Sequence, residues 1–236
     1  MIIPAYNEEG SVGQVVLDVR KHCLFPIVVV DDASSDATRE EAERAGALVV
    51  PLTINLGAWG ATQTGIRYAL ENNYDLAVTL DADGQHRAAE IGALLRPTLA
   101  GAAAVSIGAS TERGSRARRI AWRFMKSVSG IALDDLTSGF RSYNLRAMRV
   151  LASWKATYLE FQDVGVLSML IRAGFTITET DVTMGNRKVG HSRIFSSWTM
   201  VAYYMAHTLL LSFTKRKTRT GSKRDHPVYE PQSARK

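Results

Sequence analysis

Leu76, Ala77, Val78 and Leu80 form a short apolar run that breaks off into Asp81, Ala82, Asp83, Gly84, Gln85 and His86. An apolar run of this length, bounded by turn residues, reads as a strand buried on both faces. Such strands belong to parallel sheets covered by helices. Two carboxylates separated by one residue at the end of the strand stand where open α/β sheets bind their ligands, in the crevice beyond the strand ends. Their hard oxygen donors suit Mg²⁺ or Mn²⁺ that keeps water and substrate phosphate in its shell. A plain acidic turn is the alternative, since Asp and Gly are common turn formers.

The chain on either side repeats the pattern. Met1, Ile2 and Ile3 run straight into Pro4, Ala5, Tyr6, Asn7, Glu8, Glu9 and Gly10, so the first strand is barely represented. Ser11 then precedes Val12, Val15, Val16 and Val19, the i, i+3, i+4, i+7 stripe of an amphipathic helix. Phe25 to Val30 is a second apolar run, ending in Asp31 and Asp32, and a polar helix to about Ala45 leads to a third strand from Ala47 to Pro51. Gly57, Gly60 and Gly65 stud the next helix, which runs to about Asn72; glycines there serve either close ligand approach or helix packing. A helix from Ala88 to Leu99 and a strand from Ala104 to Gly108 complete the alternation, which predicts a doubly wound α/β sheet with helices on both faces.

Beyond Gly108 the character changes. Arg113, Arg116, Arg118, Arg119, Arg123 and Lys126 alternate with Ile120, Trp122, Phe124 and Met125, either a solvated helix face or a wall that attracts phosphate or a membrane surface. Thr137, Ser138, Gly139, Phe140, Arg141, Ser142 and Tyr143 follow, with Arg141 their lone charge. A helix at about Asp163 to Ala173 and a strand from Phe175 to Val182 lead into a basic loop from Gly185 to Arg193. Trp198 to Phe213 is nearly uncharged, too short for a spanning helix, and followed at once by Lys215, Arg216, Lys217 and Arg219. That order suits an amphipathic helix at a membrane interface, with a core helix as the alternative. The division expected is an α/β domain over 1–194, an interfacial helix over 195–214 and a basic, disordered tail over 215–236.

Charge sharpens this division. The 236 residues carry a formal +6, and residues 215–236, with eight Lys or Arg against Asp225 and Glu230, account for all of it. The body is therefore neutral. The tail lacks the interleaved aromatics on which single-stranded nucleic acid stacks, so an anionic membrane surface is the expected partner and nucleic acid is not. The one cysteine, Cys23, excludes an internal disulfide and a cysteine zinc site and points to a reducing compartment. No apolar signal segment precedes the first strand, which argues against secretion.

Tyr6 and Glu8 after strand one, Asp31 and Asp32 after strand two, and Asp81 and Asp83 after strand four should meet on one sheet edge, where carboxylates can accept hydrogen bonds from base and ribose and a metal can hold a diphosphate. In this order, Pro4-Ala5-Tyr6-Asn7-Glu8, Val30-Asp31-Asp32 with Ser34, Asp36 and Thr38, Asp81 to His86, Thr137-Ser138-Gly139-Phe140-Arg141 and the loop from Arg187 to Arg193 resemble family 2 glycosyltransferases, above all the dolichyl- and polyprenyl-phosphate sugar synthases. The resemblance covers roughly Ile2 to Arg193. It implies a GT-A fold, a nucleotide-diphosphate sugar donor and inversion at the anomeric carbon. It also implies that Pro4, Tyr6, Glu8, Val30 and Asp32 contact the nucleoside. Asp81, Ala82 and Asp83 would hold metal and diphosphate, with Gln85 a further ligand of Mg²⁺ or Mn²⁺. Arg187 and Arg193 would clamp phosphate oxygens; Arg141, and secondarily Arg119, would meet an acceptor phosphate.

Three positions depart from the pattern of those synthases. Gly108-Ala109-Ser110 lacks the usual arginine two residues after the glycine; Arg193 replaces lysine; and after Phe161-Gln162 the usual glutamate is Val164, with Asp163 one place earlier. These bear on the acceptor. A polyprenyl phosphate is already a nucleophile at neutral pH and needs no general base, whereas a hydroxyl of a lipid-linked or surface glycan needs one, for which Asp163 and Glu160 are the candidates. The expected location is cytoplasmic, peripheral to the inner face of the cell membrane. A non-catalytic nucleotide-sugar-binding scaffold is the alternative from another class.

Overall fold

The computed structural model describes residues 1–110, 133, 135, 137–159 and 164–185. In chain order the elements are β1 (Ile2–Ala5), α1 (Val12–His22), β2 (Val28–Asp31), α2 (Thr38–Arg44), β3 (Leu48–Pro51), α3 (Gly57–Glu71), β4 (Leu76–Thr79), α4 (Ile91–Leu99) and β5 (Val105–Ala109). After these come β6 (Arg141–Asn144), α5 (Leu145–Leu151), α6 (Trp154–Thr157), α7 (Val164–Arg172) and β7 (Ile177–Asp181).

The described strands make one sheet of order β3-β2-β1-β4-β6-β5-β7. β1 lies parallel to both β2 and β4, β2 to β3 and β5 to β7, while β6 runs antiparallel between β4 and β5. The chain builds outward from β1 to β3 and then crosses back to place β4 on the other side of β1. The resulting switch point, between β1 and β4, opens a crevice at the C-terminal strand ends.

The apolar residues alternate across the sheet. Ile2, Val28, Val30, Ala77 and Tyr143 face the layer that contains Trp59, Ile66 and Leu70 of α3 together with Met148, Leu151 and Leu167. Ile3, Ala5, Val29, Val78 and Leu80 face the opposite layer, which holds the Val12, Val15, Val16 and Val19 stripe of α1 and Ile91, Leu94 and Leu95 of α4. Each Val, Leu, Ile or Met side chain so removed from water contributes roughly 1.5–3 kcal/mol against chain entropy. Gly65 answers the question its spacing posed: a Cβ there would lie 2.3 Å from Cγ2 of Ile2, so this glycine lets α3 press onto β1.

Several elements differ from expectation. β2 begins at Val28, because Pro26 has no N–H to give a sheet and its carbonyl instead accepts from the Met1 amine at 2.6 Å. The helix expected over Ala88 to Leu99 is a 3₁₀ turn, Ala88–Glu90, followed by α4. β6, α5 and α6 were not expected. β6 reads Arg-Ser-Tyr-Asn, which has no apolar alternation, and its place between two strands comes from tertiary pairing. An apolar cavity of about 230 Å³, lined by Ile2, Val28, Tyr68, Leu76, Val78 and Leu95, sits at the N-terminal strand ends, and none of Glu8, Asp31, Asp32, Asp81 and Asp83 lines it. Among the described residues no helix is long and apolar enough to cross a membrane.

Candidate functional site

Three loops leave the C-terminal ends of β1, β2 and β4 side by side. The first two lock together. Asn7 and Ala33 take left-handed backbone conformations, φ +53 and +60, and for an alanine this costs on the order of 1 kcal/mol or more. The turns this creates let the Asn7 amide donate to Ser34 Oγ at 3.0 Å, the Glu8 amide to Thr38 Oγ1 at 2.7 Å and the Glu9 amide to Asp36 Oδ2 at 3.2 Å. In return Asn7 Oδ1 accepts from the Ser35 amide at 2.9 Å and Glu9 Oε2 from the Ala37 amide at 3.0 Å. Burial pushes the Asp36 carboxyl up, but hydrogen bonds from the Thr38 hydroxyl, the Thr38 amide and the Glu9 amide outweigh it and hold the group below the usual range. Ser34, Asp36 and Thr38 of the sequence motif are thus the fasteners of the two loops.

Asp32 has a different environment. It is 2% exposed, its amide donates to Ala5 O at 2.8 Å, and its Oδ1 accepts from the Leu56 amide at 2.7 Å. Burial raises its pKa above the ordinary carboxylate value, opposed by backbone donors at Leu56 and Gly57. Such a carboxylate is a rigid acceptor at the start of α3, suited to the polar edge of a base. Tyr6 and Glu8 are partly exposed beside it, with the Glu8 carboxylate accepting from Ser11 Oγ at 2.9 Å. Pro4 is partly buried, and Val30 is fully enclosed in the core, so Val30 supports this floor from within.

The acidic turn sits on the third strand end. Gly84 adopts φ +74, and Asp83, 7% exposed, caps the turn by accepting from the Gln85 amide at 2.9 Å. Asp81 projects outward, its side chain 43% exposed, and its Oδ2 lies 3.0 Å from His86 Nε2. Gly139 packs against the same carboxylate so closely that a Cβ there would be 2.3 Å from Oδ1. Thr79 Oγ1 donates to Gly139 O at 2.7 Å and fixes that approach. No three His, Cys, Asp or Glu side chains among the described residues form a closed metal cage. The half-exposed Asp81 carboxylate, with the largely buried Asp83 and Gln85 on the same turn, nevertheless fits Mg²⁺ or Mn²⁺, which binds through one or two carboxylates and completes its shell with water and phosphate oxygen.

Arg141 is fully buried at the start of β6, its Nε donating to Ser138 O at 2.7 Å, so the guanidinium lies under the Thr137 to Phe140 segment. On the far side of α3, the stripe Trp59, Gln63 and Arg67 grips the α5–α6 connection. Trp59 Nε1 donates to Ala156 O at 2.8 Å, Gln63 Nε2 to Leu151 O at 2.8 Å and Arg67 Nε to Ala152 O at 3.0 Å. This anchors the chain just before 160–163. Glu160, Asp163, Arg119, Arg187 and Arg193 lie outside the described residues, as do the basic stretch, the helix expected over 195–214 and the tail. The approach to the basic loop is described, and it meets the acidic turn: Met184 bridges His86, and the Gly185 amide donates to Gln85 O at 2.8 Å. His86 and Gly139 stood inside quoted motifs without a role; only the fold shows that both bear on Asp81.

Residues 1–156 match the family described as Glycosyl transferase family 2. The chain belongs to this family. The family 2 chain is 30% identical over 209 residues to undecaprenyl-phosphate mannosyltransferase of Micrococcus luteus, covering 82% of this chain and 86% of that protein. It is 28% identical over 216 residues to polyprenol monophosphomannose synthase of Mycolicibacterium smegmatis, covering 84% and 81%. A 99-residue stretch is 38% identical to an uncharacterized protein of Methanocaldococcus jannaschii, spanning only 42% of this chain and 41% of that one. Its fold is shared with glucosyl-3-phosphoglycerate synthase of Mycobacterium tuberculosis, crystallised with Mn²⁺, uridine-diphosphate-glucose and phosphoglyceric acid. That structure has a TM-score of 0.71 at 18% identity and covers all of this chain and 90% of the other. The architecture is accordingly GT-A-like: a mostly parallel mixed sheet between helical layers.

Proposed function

We propose that this glycosyltransferase is an inverting enzyme that carries a sugar from a nucleotide-diphosphate donor to a polyprenyl phosphate at the cytoplasmic face of a membrane. The observation that carries the reading is the half-exposed Asp81 carboxylate at the β1/β4 switch point, aimed outward and held from two sides. The lipid acceptor draws its support from the names of the mannosyltransferase and mannose synthase relatives.

In this reading the interlocked β1 and β2 loops form the nucleoside floor, with Asp32 accepting from the base and Tyr6 and Glu8 at its rim. Asp81 and Asp83 face the diphosphate, and Gln85 stands with them. Asp81 and Asp83 would hold a divalent ion, which when bound would supply charge neutralisation to the leaving diphosphate. Arg187 and Arg193 would contact the phosphate oxygens by charge-assisted hydrogen bonds. The acceptor's phosphate oxygen attacks the anomeric carbon from the face opposite the diphosphate. The new C–O bond forms as the old one breaks, the nucleoside diphosphate leaves with the electron pair, and no proton is transferred. The site's contribution is positioning and electrostatics. The 195–214 helix and the 215–236 tail would hold the chain at the anionic surface from which the acceptor projects.

The test is transfer of radiolabel from a panel of nucleotide sugars into the organic phase with undecaprenyl phosphate and Mn²⁺ or Mg²⁺. Label in the lipid, lost in Asp81→Asn and Asp83→Ala, is the expected result. Transfer only to hydroxyl acceptors, abolished by Asp163→Asn, would replace the phosphate acceptor with a hydroxyl. Donor binding without turnover on any acceptor would leave a binding scaffold.

A further inference from the structure

His86 is buried, 8% exposed, yet no charge-relay or ligand role accounts for it. Its imidazole stacks on Phe140 with centroids 5.1 Å apart and planes at 24°. Nε2 reaches Asp81 Oδ2 at 3.0 Å, while Nδ1 is enclosed and has no hydrogen-bond partner among the described residues. An ionised carboxylate only accepts, so Nε2 carries the hydrogen shared with Asp81, and Nδ1 takes no part in that bond. A buried polar nitrogen without a partner is costly, and the ring is kept in this pose by what its other nitrogen does.

Asp81 is thereby held from two directions. Oδ2 is tied to the imidazole, and Oδ1 rests on the Cα of Gly139, where no side chain fits. Phe140, the residue after Gly139, is the same ring on which His86 stacks, so the segment that packs on one oxygen also orients the donor to the other. The backbone of His86 further bridges Met184, which begins the approach to the basic loop. We infer that His86 is a positioning residue: by donating Nε2–H to Asp81 it fixes the carboxylate in the orientation that receives the divalent cation, without binding the cation itself. The inference rests on the metal reading of the acidic turn. Outer partners of metal-binding carboxylates typically govern affinity by one to two orders of magnitude when removed.

The experiment compares Mn²⁺ affinity, read by electron paramagnetic resonance of the free ion with no sugar donor present, in wild type, His86→Phe and His86→Gln. Phenylalanine keeps the stack on Phe140 and removes the donor; glutamine places an amide N–H near the position of Nε2. The expected result is a Kd raised about 10- to 100-fold in His86→Phe and restored to within about threefold in His86→Gln, with no nitrogen coupling in the wild-type echo-envelope spectrum. Should His86→Phe lose its cooperative melt, His86→Met makes the same comparison. Unchanged affinity in the apolar variant, or no rescue by glutamine, overturns the positioning role alone. Nitrogen coupling to bound Mn²⁺ makes His86 a ligand and overturns it as well. Absence of Mn²⁺ binding by the wild-type protein defeats the metal reading, and this inference with it.

Discussion

Replacing Gly139 with alanine puts a methyl carbon 2.3 Å from Asp81 Oδ1 and 2.9 Å from both Cγ and Oδ2. Ordinary contact begins near 3.4 Å, so the carboxylate or the strand must give by roughly 1.1 Å. Asp81 cannot swing away cheaply, because its Oδ2 is tied to His86, and the Gly139 backbone is pinned by the Thr79 hydroxyl. A displacement of about 1 Å at a reacting group costs on the order of 100-fold in rate, or about 2.7 kcal/mol of transition-state stabilisation. The overpacking itself costs roughly 1–3 kcal/mol of fold stability. The expectation is a kcat/KM near 1% of wild type, measured by donor consumption at saturating Mn²⁺, with a melting temperature lowered by about 2–12 °C. Activity within threefold of wild type would show that Asp81 need not stand where the structure puts it.

Asp32→Asn separates stability from binding. Burial raises the Asp32 pKa, so the stabilising contribution of its protonated form is full below the unfolded value of 3.8 and is lost as pH rises through the folded value. At pH 7 the asparagine variant should therefore melt no earlier than wild type while its calorimetric affinity for the donor nucleotide falls at least tenfold; a lowered melting temperature with intact affinity would contradict this. Asp36 has the opposite sign: its depressed pKa contributes stability above 3.8 that is lost on acidification, so Asp36→Asn should flatten the acid limb of the melting-temperature profile. Gln63→Ala frees the carbonyls of Leu151 and Ser153, and roughly 2–3 kcal/mol should be lost, a drop in melting temperature of about 4–12 °C by calorimetry. Removing residues beyond Ser212 should weaken sedimentation with anionic vesicles, most strongly at low salt; unchanged sedimentation contradicts a membrane role for the C-terminus.

The parts of the fold governed by local patterning were legible in the residues. The valine stripe of α1 and the apolar runs ending in Asp31 and Asp81 specify their elements and the sheet edge on which the carboxylates gather, because burial on both faces leaves little choice of partner layer. β6 was not legible. Arg141 and Ser142 are buried polar residues whose strand geometry comes from pairing with Val78, Thr79, Ser106 and Ile107, contacts more than thirty residues away in the chain. The same distance hid the part played by His86 and Gly139. A histidine five residues after an aspartate carries no signal of its own until Phe140 is brought beside it by a strand that the local pattern does not announce. The grip of Trp59, Gln63 and Arg67 of α3 on the α5–α6 connection likewise depends on residues about ninety positions away.

The central claim is that the acidic turn after β4 carries a dication on the donor diphosphate. Anomalous diffraction from crystals grown with Mn²⁺ and a nucleoside diphosphate tests it most directly. The account predicts a manganese peak about 2.0–2.6 Å from carboxylate oxygen of the Asp81/Asp83 pair and from diphosphate oxygen at once. A bound nucleotide whose diphosphate lies away from these carboxylates, with manganese elsewhere or absent, would contradict it.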